Sequence, residues 1–91
     1  MTATCTFTAN EARAVKALYS YCLGQMGGKT YADLESDPFT WVDTSVLVEA
    51  GWTKAEANGT FGALIEKRAV AQVDKNEWAL ELPAAKWASE N

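Results

Sequence analysis

The sequence predicts a small α+β domain of three helices followed by a β-hairpin and a short C-terminal helix. Three observations carry that prediction. Thr8–Glu11 and Thr53–Glu56 repeat the capping-box spacing, in which two side chains satisfy free amides at a helix start. Behind each, apolar residues recur at three- and four-residue steps. Later, Glu77 to Leu82 alternates with period two after a polar turn. Ninety-one residues suit one domain spanning 1–91, with 1–7 as an N-terminal extension and 83–91 as a tail or short helix.

The first helix is expected over residues 9–26. Ala12, Val15, Leu18, Tyr19, Cys22, Leu23 and Met26 form one apolar stripe, and Gly27-Gly28 ends it by taking the left-handed conformation past the last turn. Residues 29–40 read as a connection with one helical turn around Tyr31 and Leu34, since Asp37 precedes Pro38 and is pushed out of the helical region. A second helix is expected from Val42 or Thr44 to Ala50. Its β-branched residues make it a weak former that tertiary packing must hold.

Beyond the Gly51-Trp52 joint, the third helix places Ala57, Phe61, Leu64 and Ile65 on one face. Gly59 and Gly62 lie inside it, each costing about 1 kcal/mol against Ala, and close approach of another backbone is the simplest reason for them, inside the monomer in the first instance or from a second subunit. The hairpin is expected from Ala69–Val73, the turn Asp74-Lys75-Asn76, and Glu77–Leu82, with Trp78, Leu80 and Leu82 sharing a face. Pro83 is expected to stop the second strand, and Ala84 to Ser89 to form a short helix carrying Trp87.

Composition narrows function. Eight Lys and Arg against twelve Asp and Glu give a net charge of −4, which opposes general attraction to phosphate. The polarity is uneven. Residues 53–76 hold Lys54, Lys67, Arg68 and Lys75 against Glu56, Glu66 and Asp74, while the rest of the chain is acidic. No run of apolar residues reaches the roughly 18–20 that a membrane helix requires, and MTATCTFTANEA has no signal-peptide pattern, so no membrane association is expected. Cys5 and Cys22 read as two reduced thiols of a cytoplasmic protein.

Catalysis is not expected. The chain has no histidine, which removes the commonest general base and zinc ligand, and it lacks HExxH, GxSxG and a Gly-rich phosphate loop. Accordingly no cofactor, metal or small-molecule substrate is anticipated. Trp41, Trp52 and Trp78 read chiefly as core, with a stacking platform or protein hot spots as the alternative. Trp87 either docks back on the domain or serves as a protein-interaction anchor. Asp33, Glu35, Asp37 and Asp43 form an acidic stretch that either solubilises a loop or meets a basic partner.

The stretch VLVEAGWTKAEANGTFGALIEKRAVAQVDKNEWALEL, residues 46–82, resembles a winged helix-turn-helix: a Gly at the interhelical turn, a capped helix, then Leu64-Ile65-Glu66-Lys67-Arg68-Ala69-Val70 leading into a wing. Leu47 stands four positions before the turn glycine, where such proteins usually carry a small residue. The resemblance implies a DNA-binding transcriptional regulator, acting as a homodimer, whose third helix enters the major groove. Lys54 and Asn58 would then meet base edges, Thr60, Lys67 and Arg68 phosphates, and Lys75 the backbone beside the minor groove. The alternative is an acidic protein-interaction module or accessory factor, virus-encoded ones among them, that uses the winged-helix shape to bind protein. On that reading the bases lie on a solvated helix face.

Overall fold

Thr8 opens the first helix as the sequence predicts. Its hydroxyl accepts from the Glu11 amide at 3.2 Å, and the Glu11 carboxylate accepts from the Thr8 amide at 2.9 Å. The computed structural model describes residues 7–28, 30–36, 40–75 and 77–91. These form an α+β fold with five helices, α1 (Ala9–Met26), α2 (Tyr31–Ser36), α3 (Thr44–Glu49), α4 (Lys54–Glu66) and α5 (Leu82–Glu90). Three strands, β1 (Trp41–Val42), β2 (Val70–Asp74) and β3 (Glu77–Leu80), make one antiparallel sheet in the order β1-β3-β2.

Helix α1 is the hub. Its Ala14, Val15, Leu18 and Cys22 are buried, and α2, α3, α4, α5 and β1 all pack against it. Helix α4 lies beneath the sheet, where Phe61 stacks on Trp78 with ring centroids 4.3 Å apart and planes 5° from parallel. Val42, Val70, Trp78 and Leu80 complete the inward face of the sheet.

Three helices end in the same way. Past α1, Gly27 (φ 70°) and Gly28 donate back to Gly24 and Leu23; past α3, Gly51 (φ 116°) and Trp52 donate to Val48 and Leu47. Past α4, Arg68 and Ala69 donate to Ile65 and Leu64. This paired pattern satisfies carbonyls left free at a helix end and demands a left-handed residue. At the third site that residue is Arg68, with φ 59°.

Several expectations need correction. The helical turn expected around Tyr31 and Leu34 is present but longer, running over residues 31–36 and held inward by buried Leu34. Trp41 and Val42, read as the approach to a helix, pair instead with Ala79 and Trp78, so the sheet has three strands and not two. Leu82 belongs to α5 rather than to β3. Strand pairing ends at Leu80, and Pro83 sits in the first turn of α5, where its missing N–H costs nothing. Helix α5 thus runs Leu82–Glu90, longer than the expected Ala84–Ser89, and buries Ala84, Ala85 and Ala88. No described helix is long and apolar enough to cross a membrane.

Close packing at the glycines inside the chain is not found: a Cβ at Gly59 or Gly62 would meet nothing within 4 Å, and both residues are exposed.

Candidate functional site

The six residues assigned to nucleic acid are dispersed. Lys54 and Asn58 are exposed one turn apart at the start of α4. Lys67 and Arg68 follow the other end of that helix, some 20 Å away at about 1.5 Å per residue. Lys75 is exposed at the far end of β2, at the hairpin tip.

Two of the six are engaged inside the domain. Thr60 is buried, and its hydroxyl accepts from the Asn10 side-chain amide at 3.3 Å. The Lys67 ammonium lies 2.5 Å from a Glu11 carboxylate oxygen and 5.9 Å over the Phe7 ring, tying the end of α4 to the start of α1. That ammonium, together with the Thr8 amide, holds the Glu11 carboxyl below its ordinary range. The start of α4 is likewise occupied: the Glu56 carboxylate accepts from the Thr53 amide at 2.9 Å, fixing a negative charge beside Lys54.

A cleft of about 300 Å³ opens beside this helix start, lined by Asn10, Arg13, Gly51, Trp52 and Glu56. The Arg13 guanidinium lies over Trp52 at 4.6 Å from the ring centroid, and Trp52 itself is buried, as its core assignment predicts. The indole nitrogens of Trp52 and Trp78 are both buried without a hydrogen-bond partner. Trp87 is half-buried, edge-on to Phe7 with centroids 4.8 Å apart, and Lys16 reaches over it at 5.9 Å.

The acidic stretch has structural duties. Asp33 accepts from the Thr30 amide at the start of α2, and Asp43 caps α3 by accepting from the Ser45 amide. Asp37 lies outside the described residues. Cys22 is free and fully buried, and burial pushes its thiol up to about 12, which keeps it un-ionised and unreactive. Cys5 is outside the described residues. Among the described residues, no three His, Cys, Asp or Glu side chains are grouped to hold a metal ion.

What the sequence did not reveal is Trp41. It is 61% exposed, in contrast to its core assignment, and it stands on the outward face of β1. By register Trp41 lies opposite Ala79, which lies opposite Ala71, so one row of that face reads Trp, Ala, Ala. Val73, 48% exposed beside the irregularity in β2, extends the apolar surface. The period-two pattern of β3 contained a signal for this face, because Ala79 alternates with inward Trp78 and Leu80. A two-residue strand such as β1 is too short to show any period.

Comparison of the chain with family models, curated proteins and solved structures finds no match.

Proposed function

We propose that this chain is a protein-interaction module of winged-helix-like shape, in which the sheet rather than the third helix of the helix-turn-helix reading carries recognition. One observation carries the proposal: Trp41 holds its indole on an outward sheet face among Ala79, Ala71 and Val73. An exposed indole in an apolar row is the kind of anchor that dominates protein interfaces, since it offers large area with few rotatable bonds. The capped α4 running straight into the β2–β3 hairpin supports the winged-helix shape. Net charge of −4, with Lys67 paired to Glu11, supports protein over phosphate as the ligand. A cytoplasmic setting accords with the free Cys22.

Site-specific photo-crosslinking tests this reading. A photoreactive residue at position 41 should yield discrete protein adducts in cells, and one at position 58 should not. Adducts at 58 alone, or none at 41, would overturn it.

A second reading, a DNA-binding transcriptional regulator, draws on Lys54 and Asn58, both exposed one turn apart on α4. It requires retention on duplex DNA at low salt that Lys54→Ala with Asn58→Ala abolishes.

A further inference from the structure

Trp41 does not stand on a uniformly apolar surface. The neighbours diagonal to it are Glu77, on β3, and Glu81, one residue past the end of β3, two residues either side of its partner Ala79. Diagonal cross-strand positions lie roughly 7–8 Å apart, within reach of long side chains on the same face. Glu77 is exposed and Glu81 half-buried. Glu81 precedes α5 but makes no side-chain capping bond there, and neither carboxylate takes part in an ion pair with a described residue. The exposed cations Arg68 and Lys75 flank β2, on the side of β3 away from β1, and neither forms an ion pair with Glu77 or Glu81.

An aromatic face between two unpaired carboxylates is complementary to a cation. The indole attracts an ammonium or guanidinium through its quadrupole, and the carboxylates supply the hydrogen-bond acceptors that a guanidinium fork needs. A second copy of this chain is a poor occupant. Two such faces would set Glu77 and Glu81 of one copy against the same carboxylates of the other.

We infer that the outward sheet face centred on Trp41 docks a cationic segment of a protein partner, with an Arg or Lys side chain laid over the indole between Glu77 and Glu81. The inference rests on the protein-interaction reading above and names the chemistry of the partner.

The test uses a ten-residue peptide of alternating Arg and Gly, capped at both ends, titrated into the isotope-labelled full chain by two-dimensional NMR. A peptide with citrulline in place of Arg is the neutral isostere. The Arg peptide should shift the Trp41 indole signal and the Ala71 and Ala79 amides, saturably and less so as salt rises. Citrulline should weaken binding at least about fivefold, and Trp41→Ala or Glu77→Gln with Glu81→Gln about five- to tenfold. Trp41 and Glu77 are exposed, and Gln keeps the size of the half-buried Glu81, so a chemical-shift spectrum otherwise unchanged from the parent checks that the fold is retained.

Shifts confined to residues 31–36, or equal affinity of the double Gln variant, would overturn the inference. Equal binding of the citrulline peptide at Trp41 would also overturn it while leaving a protein-docking face intact. If neither peptide moves Trp41 and crosslinking at position 41 is silent, both proposals fall. Concentration-dependent Trp41 shifts without peptide would assign the face to a second copy instead.

Discussion

The Lys67 ammonium reaches back 56 residues to lie 2.5 Å from the Glu11 carboxylate, so one ion pair joins the end of α4 to the first turn of α1. Glu11 also caps the Thr8 amide. Glu11→Gln separates these roles, because glutamine still serves as the third residue of a capping box. With Lys67 about a third exposed, solvent screens the pair, and the substitution should cost about 0.5–1 kcal/mol at neutral pH. Because folding lowers the Glu11 carboxyl below 4.5, its contribution is present above that value and lost as pH falls through the folded value. Urea midpoints of parent and variant should therefore differ at pH 7 and converge as pH falls through the folded value. A constant gap would show that charge is not its source.

Gly59→Ala and Gly62→Ala should each stabilise the fold. Both sites are helical and exposed, and an added Cβ meets nothing within 4 Å. The gain is about 1 kcal/mol each, or about 4–8 °C in melting temperature for a domain of this size. Thermal melts by circular dichroism would show it, and the double variant should approach the sum, although the two sites lie within one turn of each other.

Phe61 and Trp78 stack at 4.3 Å in the interior, but they should respond differently to truncation. Phe61→Ala removes a fully buried ring and should cost about 3–5 kcal/mol, a large part of the stability of a small domain. Trp78→Phe keeps an aromatic face and removes an indole N–H that has no partner. The relief of that buried donor offsets lost packing, so its net cost should stay within about 1 kcal/mol. Denaturant unfolding of the two variants measures the contrast.

Arg68 holds a left-handed conformation that glycine adopts at the equivalent positions 27 and 51. Arg68→Gly should relieve about 1–2 kcal/mol of backbone strain, partly offset by the greater freedom of glycine in the unfolded chain. A net gain of up to about 1 kcal/mol is expected in equilibrium unfolding. Arg68→Val, β-branched and unsuited to this conformation, should destabilise instead.

Helix starts were legible in the sequence because they rest on local chemistry. Thr8 and Thr53 cap their helices with the residues three positions on, and Gly27 and Gly51 terminate α1 and α3 as single-residue signals do. Strand β1 was not legible, because Trp41 and Val42 become a strand only by meeting Ala79 and Trp78 from the other half of the chain. The candidate site failed to assemble for the same reason. Nothing within residues 53–76 indicates that Thr60 will face Asn10 or that Lys67 will find Glu11, since both partners lie on α1.

The sheet order β1-β3-β2 has a consequence for how the chain assembles during synthesis. Strands β1 and β2 do not touch; each is paired through β3 alone. Until residues 77–80 have left the ribosome, two orphan edges with unpaired amides must wait, and Phe61 has no ring to cover it. A nascent chain arrested just past the hairpin tip should hold helices but no sheet, and be open to chaperones and proteases until the middle strand arrives.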